Sequence, residues 1–269
     1  MSTCTITTLV DNVVYDRGLV AEHGFSVYID CNGVRVLFDT GQTDTVTVNA
    51  HALGIDLGEI DACVISHGHY DHTGGLASFC RLNAHAPVFI HADAWLPKWN
   101  SHKKAIGISH AESIDRARCV SIEKPHMIAP DIYCMPAATI AYEDDTHRTG
   151  FFCEKNGEMT DDDFSDEQSL VIIKNEHLNI ISGCSHRGIS NIITAAKTHF
   201  KLPVGMVVGG MHLLNESIRR IEQLCAILNS MNIQRVGVGH CTGIDAYSTI
   251  QQKLTCEVFY NSVGTKIIL

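Results

Sequence analysis

The sequence predicts an α+β protein in which two β-sheets pack face to face and helices cover both outer faces, an αββα sandwich of four layers. Two observations lead to this prediction. Along the 269 residues, a β-rich stretch passes into alternating strands and helices, and the same order then repeats, with no low-complexity linker between the halves. Sheets and amphipathic helices must cover one another's apolar faces. We therefore expect a single domain, residues 1–269, made of two similar halves.

The first half is predicted to open with three strands and then to alternate between helix and strand. Short runs rich in β-branched residues favour strands, and Asn32-Gly33 is a strong signal for a hairpin turn between the second and third strands. Gly54 is expected to end the first helix. The predicted strands are 4–10, 26–31, 34–38, 62–66 and 87–91, and the predicted helices are 45–53 and 73–83.

The second half repeats this arrangement. A hairpin over 169–182 is followed by a helix that Pro203 is expected to end. A second, strongly amphipathic helix is expected at 216–231. The predicted strands are 169–173, 178–182, 206–208, 235–238, 257–260 and 266–269, and the predicted helices are 189–200 and 216–231.

Residues 143–167 form a strongly acidic stretch between the halves. Ten Asp and Glu residues are opposed only by Arg148 and Lys155, which accounts for −8 of the formal net charge of −10. Blocks of like charge usually face water, so a solvated loop or hairpin is the favoured interpretation. A flap over a functional site is the alternative.

Composition excludes several classes of protein. The acidic balance argues against binding to the backbone of a nucleic-acid duplex, although a small substrate that carries phosphate remains compatible. No apolar run approaches the roughly 20 residues needed to span a bilayer, so no membrane association is expected. The first residues do not resemble a signal peptide, which predicts a cytoplasmic location. The oligomeric state stays open.

Cysteine usage also indicates a reducing compartment. The chain has eleven cysteines, an odd number, and no CxxC pair. Most of them lie inside apolar segments, where reduced thiols are commonly buried. We therefore expect no disulfide bond, as is usual in a reducing compartment.

The histidines are distributed in an informative way. Five short strand-like segments run into a histidine at or just past their carboxyl ends. These residues are His67, His91, His186, His212 and His240. In α/β sheets, ligands bind beyond the carboxyl ends of the strands. Histidines from several strands are therefore expected to converge on one crevice, with His91 as the weakest candidate.

Residues 66–75 carry the strongest motif, Ser-His-Gly-His-Tyr-Asp-His-Thr-Gly-Gly. His67 and His69 are two residues apart in an extended turn, so both can point toward one metal ion. Asp71 and His72 can serve a second ion a few ångströms away, as two-metal hydrolytic sites require. Without metal, three histidines packed together would repel when charged and would leave polar groups unpaired.

This motif resembles HxHxDH, the signature of the metallo-β-lactamase superfamily, and the resemblance implies the αββα fold. Leu37-Phe38-Asp39-Thr40-Gly41 is similar to the strand and turn that precede the motif in that superfamily. One branch, the proteins related to dihydropteroate synthase and the dihydropterin–ribofuranosylaminobenzene phosphate synthases, is similar at four further stretches. These are His23-Gly24-Phe25-Ser26, Gly183-Cys184-Ser185-His186, Gly209-Gly210-Met211-His212-Leu213 and Gly239-His240-Cys241.

The sequence departs from the superfamily at two ligand positions. Hydrolytic members usually carry an aspartate that bridges both ions, whereas Cys184 follows Gly183 here. They also carry a third histidine for the first ion before Ser169, where no histidine lies nearby and His147 is the closest upstream. Asp166 and Glu167 are possible substitutes, but His186 is the better candidate.

The resulting ligand sets are three residues each. His67, His69 and His186 are expected on one ion, and Asp71, His72 and His240 on the other. Cys184 is either a bridging thiolate or a bystander, and the bystander is favoured because a soft thiolate is unusual beside nitrogen and carboxylate ligands. The ions are expected to be two divalent metals, zinc first, with iron or manganese as alternatives.

Three other polar residues are expected near the site. The resemblance implies that Asp39 orients a ligand histidine, although Asp39 alone could merely cap a turn. His23 and His212 are either satisfied core histidines or residues that contact the substrate. His212, or else His23, would position a phosphate or protonate a leaving group.

The predicted function is metal-dependent hydrolysis of an ester-like small molecule, a phosphoester, lactone or amide. A metal-bound hydroxide oriented by Asp71 would attack the substrate. The first alternative is a transferase that uses a pterin diphosphate on the same metal site. The second is a binding or sensor protein that needs metal without catalysing a reaction.

Overall fold

The computed structural model describes residues 4–269, which form three β-sheets and six α-helices. The strands are β1 (Cys4–Val10), β2 (Ser26–Cys31), β3 (Val34–Phe38), β4 (Ala62–Val64), β5 (Val88–Phe89), β6 (Lys98–Asn100), β7 (Cys119–Val120), β8 (His126–Ala129), β9 (Ile132–Met135), β10 (Phe151–Lys155), β11 (Glu158–Asp161), β12 (Ser169–Lys174), β13 (His177–Ser182), β14 (Val204–Gly209), β15 (Arg235–Val238), β16 (Glu257–Tyr260) and β17 (Lys266–Ile268). The helices are α1 (Thr45–Ala52), α2 (Tyr70–Thr73), α3 (Leu76–Leu82), α4 (Ile189–Phe200), α5 (Ile218–Ser230) and α6 (Ile244–Lys253).

Two seven-stranded sheets form the centre of the molecule. The first has the order β17-β1-β2-β3-β4-β5-β7, and the second has the order β16-β15-β14-β13-β12-β9-β8. Their facing sides share one apolar core, to which Phe38 contributes from the first sheet and Ile181 and Val208 from the second. Alternate residues of a strand point to opposite faces, so each sheet also has an outer apolar face that helices cover.

The outer faces are covered by helices, as the sequence predicts. Helices α4, α5 and α6 pack on the second sheet through residues such as Ile193 and Leu224. Helices α1 and α3 pack on the first sheet through Val46 and Phe79. The four-layer αββα arrangement is therefore confirmed.

The direction of the parallel strands determines at which edge of the sandwich the loops after them lie. Strands β3, β4 and β5 run parallel in the first sheet, and β13, β14, β15 and β16 run parallel in the second. Ser182 pairs with Gly209, and Gly209 pairs with Val238, so three strands of the second sheet end level with one another. Residues that follow these strands emerge together at one edge of the sandwich.

The predicted helix at 73–83 is wrong in one respect. The structure has two short helices here, α2 and α3, separated by Gly74 and Gly75. The backbone of Gly74 lies so close to the carbonyl group of Gln42 that a Cβ atom would overlap it. This close approach turns the chain, so that the residues of the motif and those of α3 lie on separate helices.

Most other predicted elements are found, with ends that shift by a few residues. The predicted strands 62–66 and 87–91 shorten to β4 and β5 because the residues that follow leave the sheet. Helix α6, which begins after Gly243, was not predicted. Its apolar face is short, with Ala246 and Ile250 as its buried residues, so periodicity alone gives a weak signal.

The acidic stretch contains a hairpin, but it is not solvated throughout. The outer strand β11 is exposed along its whole length, whereas Asp145, Asp162, Asp166 and Glu167 are buried. Each of these four carboxylates accepts hydrogen bonds from backbone or lysine N–H groups. The solvated interpretation is therefore wrong for these residues, because specific donors replace the water that they lose.

The expectation that no cysteine forms a disulfide is also wrong. Cys4 and Cys31 are bonded to each other. They are paired directly across β1 and β2, and this antiparallel register brings the two side chains together. The other nine cysteines are free. Among the described residues, 4–269, no helix is both long and apolar enough to cross a membrane.

Candidate metal centre

Three buried histidines form the first group of the site. The ring nitrogens of His67, His69 and His186 lie within 4.8 Å of one another. In the described part of the chain, the Nε2 atoms of all three are buried and have no hydrogen-bond partner. Buried polar atoms are normally satisfied, so three unpartnered nitrogens this close together are suited to bind one cation.

The tautomers of His67 and His186 suit this role. Ser66 Oγ donates its proton to Asp39 Oδ2 at 2.7 Å, so it accepts a hydrogen bond from Nδ1 of His67 at 2.9 Å. Nδ1 of His186 donates to the carbonyl oxygen of His147 at 3.0 Å. In a neutral imidazole, a proton on Nδ1 leaves a lone pair on Nε2. Both Nε2 atoms can therefore bind a metal ion.

The loop that carries His67 and His69 is held by a carboxylate from the acidic stretch. The backbone N–H of Gly68 donates to Asp166 Oδ2 at 2.8 Å. Asp166 in turn accepts a hydrogen bond from Lys98 Nζ at 3.2 Å, and Lys98 also pairs with Asp162 at 2.6 Å. This buried network fixes the turn between the two histidines.

His186 is held from three sides. Its backbone N–H donates to Glu167 Oε1 at 2.5 Å, and its ring stacks on Phe164 with a centroid distance of 3.9 Å. The proposed alternative ligands Asp166 and Glu167 thus bind backbone N–H groups, and neither belongs to the clustered group. His147, the closest upstream histidine, supports His186 through its carbonyl oxygen.

A second group lies beside the first and contains four buried residues, Asp71, His72, Cys184 and His240. Asp71 Oδ2 lies 3.7 Å from His72 Nε2 and 3.4 Å from His240 Nε2. Cys184 Sγ lies 3.1 Å from His72 Nε2 and 3.3 Å from His240 Nε2. The thiol that the sequence left as bridge or bystander therefore lies among the other three side chains.

Neighbouring carboxylate and amide groups orient the two histidines of this group. Nδ1 of His72 donates to Asp39 Oδ2 at 2.7 Å. Nδ1 of His240 lies 3.0 Å from Asn12 Oδ1, and the backbone N–H of His240 donates to Asp11 Oδ2 at 2.7 Å. Each contact directs Nε2 toward the centre of the group, as carbonyl and carboxylate partners do in metal sites. Asn12 and Asp11 had not been identified from the sequence.

The electrostatics of the two groups differ. Burial lowers the pKa of His67, His69 and His186 well below the usual range, so these rings are neutral. Burial also opposes the charge on His72, but Asp39 and Asp71 outweigh it and raise the pKa of His72 to about 9. The second group therefore stabilises a positive charge at His72, either a proton on the imidazole ring or a metal cation bound to it.

Two further histidines lie at the rim. His23 Nε2 lies 3.2 Å from Asp71 Oδ2, and its side chain is 45% exposed. The ring of His212 lies 4.5 Å from that of His186, centroid to centroid, and burial lowers its pKa to about 4. His23 thus contacts the second group, and His212 contacts the first. His91 does not join it, since its Nε2 lies 3.4 Å from Glu123 in a different contact.

Two aromatic rings enclose the first group. Phe151, at the start of β10, has centroid distances of 5.5 Å to His69 and 5.0 Å to His186. Phe164 lies 5.5 Å from His69. The acidic stretch therefore covers this group with two apolar rings, Phe151 from the hairpin and Phe164 just after it.

The fold and this pair of clusters define a metal-dependent enzyme superfamily. The family model of the metallo-β-lactamase superfamily matches residues 20–127. The chain is 32% identical over 251 residues to the uncharacterized protein MJ0448 of Methanocaldococcus jannaschii, an alignment that covers 92% of this chain and 94% of the relative. The chain belongs to the metallo-β-lactamase superfamily.

Two further relatives are informative. The crystal structure of Tm1679, a metal-dependent hydrolase of the β-lactamase superfamily, matches 98% of each chain with a TM-score of 0.86 and 35% sequence identity. A 7,8-dihydropterin-6-methyl-4-(beta-D-ribofuranosyl)-aminobenzene-5'-phosphate synthase of M. jannaschii is 28% identical over 283 residues, which cover 96% of this chain and 93% of the synthase. The chain is therefore similar to one protein described as a hydrolase and to another described as a synthase.

Proposed function

We propose that this protein is a binuclear metal-dependent hydrolase that acts on an ester-like small molecule, a phosphoester or a lactone or amide. The observation that carries the proposal is the set of three unpartnered Nε2 atoms, on His67, His69 and His186, beside the second group. Nitrogen, carboxylate and thiolate donors suit zinc, with iron or manganese as alternatives.

Each group is proposed to hold one ion. His67, His69 and His186 would bind the first, and Asp71, His72 and His240 the second. The distances from Cys184 Sγ to two histidine nitrogens support the thiolate as a further ligand of the second ion. Burial and the neighbouring Cys241 raise the pKa of the Cys184 thiol well above the usual range, so the thiol would lose its proton only as a cation binds.

When bound, the two ions would supply Lewis acidity that polarises the substrate and lowers the pKa of a water molecule. Side chains of the protein would orient the water, contact the substrate and exclude bulk solvent. Nε2 of His23 donates to Asp71 Oδ2 at 3.2 Å, which orients the carboxylate for ligation and for positioning the attacking water. His212 borders the first group and is only partly buried, so it can contact the substrate. Phe151 excludes water from His69 and His186.

Metal content and turnover test the proposal together. Protein prepared without chelator should contain close to two metal ions per chain by elemental analysis, and it should hydrolyse activated phosphodiesters or lactones. Asp71→Asn should remove nearly all of this rate, whereas the exposed Asp61→Asn should not. Fewer than one ion per chain after reconstitution, or no hydrolysis of any ester class with both ions bound, would contradict it.

The synthase relative favours a second candidate, a transferase that moves the pterin group of a pterin diphosphate to an arylamine and releases diphosphate. The two functions differ in the acceptor, which is water in one and an amine in the other. A transferase should form product only when a dihydropterin diphosphate and an arylamine are supplied together. Formation of the joined product, with little hydrolysis of either compound alone, would favour the transferase over the hydrolase.

A further inference from the structure

His147 lies at the edge of the site, outside both ligand groups. Its ring stacks on that of His212 with a centroid distance of 5.3 Å and an interplanar angle of 30°. His212 in turn contacts His186, and the backbone N–H of His147 donates to the carbonyl of His186 at 2.7 Å. These contacts place the His147 ring against the wall of the metal centre.

The neighbours of His147 indicate which of its two ring nitrogens carries the proton. Nη2 of Arg220 lies 3.5 Å from His147 Nδ1, and a guanidinium group can only donate. Glu216 Oε1 lies farther from Nδ1, at 3.9 Å, beyond hydrogen-bond distance. Nδ1 is therefore the acceptor, and Nε2 carries the proton of the neutral ring.

Arg220 is itself held in place. Its Nη2 donates to the carbonyl oxygen of Thr146 at 2.7 Å, and its Nε lies 3.5 Å from Glu216. The tautomer is thus set by a fixed donor on one side of the ring.

The N–H on the other side has no acceptor. Nε2 of His147 is buried and lacks a hydrogen-bond partner among residues 4–269, and the residue is 7% exposed. Leaving a buried donor unsatisfied is energetically unfavourable. A donor kept in this state at the wall of a binding site indicates an acceptor that arrives with a ligand.

We propose that His147 is a substrate-binding residue whose Nε2–H donates a hydrogen bond to a phosphoryl oxygen of the substrate. The proposal rests on the proposed hydrolase function and selects phosphoesters among its substrates. A phosphomonoester or phosphodiester has at least two non-bridging oxygens, so one remains for a protein donor after the ions bind another. The single carbonyl oxygen of a lactone would be taken by the ions. The adjacent positive charge of Arg220 also favours an anionic ligand.

Binding of inorganic phosphate to the metal-loaded protein tests this role without turnover. His147→Leu removes the donor, whereas His147→Gln can keep an N–H at a similar position. Titration calorimetry should show phosphate binding weakened about tenfold or more in His147→Leu and largely restored in His147→Gln. The exposed His51→Leu is the matched control, and elemental analysis should show unchanged metal content in all three variants.

Kinetics and spectroscopy add independent readouts. His147→Leu should raise KM for a phosphodiester and leave KM for a lactone nearly unchanged. In protein labelled with 15N-histidine, the His147 resonances should show the Nε2-protonated tautomer and should shift when phosphate is added. This NMR measurement uses the unmodified chain for the titration, so it remains decisive if His147→Leu fails to fold.

The outcomes separate this proposal from the hydrolase function. Equal phosphate affinity in His147→Leu and wild type, at full metal content, would overturn the role of His147 even if esters are hydrolysed. An Nδ1-protonated tautomer, or no shift with phosphate, would also overturn it. Weakened phosphate binding without hydrolysis of any ester would leave the role of His147 intact and reject the hydrolase.

Discussion

The carboxylate of Asp39 lies 2.7 Å from Nδ1 of His72, and neither side chain is exposed to solvent. The same carboxylate accepts hydrogen bonds from the backbone N–H and the hydroxyl group of Ser66. Asp39 thus links the end of β3 to the loop after β4 and to α2. Through Ser66 and His72 it sets the orientation of one histidine in each of the two groups.

Replacing Asp39 with Asn should weaken metal binding. An amide N–H₂ in place of Oδ2 cannot accept from His72 Nδ1, so the His72 proton would move to Nε2, where the ion is proposed to bind. Loss of such a supporting carboxylate typically costs about 10–100-fold in metal affinity. Competition with a chromophoric chelator measures this, with the exposed Asp56→Asn as control. Equal affinities in Asp39→Asn and wild type would contradict the orienting role.

Gly68→Ala should displace the turn between His67 and His69. A Cβ atom at Gly68 would overlap the carbonyl group of Ala94, and backbone atoms cannot move aside as a flexible side chain can. We expect reduced metal content in the purified variant by elemental analysis. Gly33→Ala is the control: it places a side chain in the β2–β3 turn, where nothing lies within 4 Å, and should cost stability without loss of metal.

Lys98→Met should destabilise the protein strongly. Lys98 is 2% exposed and pairs with Asp162 and Asp166, so the substitution leaves two buried carboxylates without their cation. Breaking a buried ion pair in this way costs about 3–5 kcal/mol. Denaturant titration should show this loss, whereas Lys155→Met, which breaks partly exposed pairs, should cost less than about 1 kcal/mol. If Lys98→Met lowers the free energy of unfolding as little as the control does, the buried ion pair does not stabilise the fold.

Asp145 should impose a pH dependence opposite to ordinary acid denaturation. Burial raises its pKa from 3.8 to about 6, although the hydrogen bond from the backbone N–H of Ser190 lowers it. Between these two values the folded chain holds a proton that the unfolded chain has lost, so this group's contribution to stability falls as pH rises from about 4 to 6.

The measurement compares wild type with Asp145→Asn. The free energy of unfolding, obtained by urea titration at several pH values, should fall relative to the variant by up to about 3 kcal/mol across this window. Asp144→Asn, at the exposed neighbour, should follow the wild-type profile. Parallel profiles for Asp145→Asn and wild type would show that Asp145 titrates alike in both states.

Local sequence was sufficient for much of the fold and for the centre of the motif. The alternation of apolar segments predicted the order of strands and helices, and the spacing of His67, His69, Asp71 and His72 predicted a cluster directly after β4. These features depend on neighbours within a few residues, where backbone geometry alone fixes which side chains can meet. The position of His186 and His240 after strands likewise pointed to the same edge.

Tertiary structure alone decided which distant groups complete the site. Asp11 and Asn12 reach His240 across more than 200 residues of sequence, and the register of β1 against β2 joins Cys4 to Cys31. The positive charge of Lys98 compensates the buried negative charges of Asp162 and Asp166. A carboxylate, thiol or histidine has the same local sequence signal whether it faces water or a partner. Its partner is brought to it by sheet packing, which no short stretch of sequence encodes.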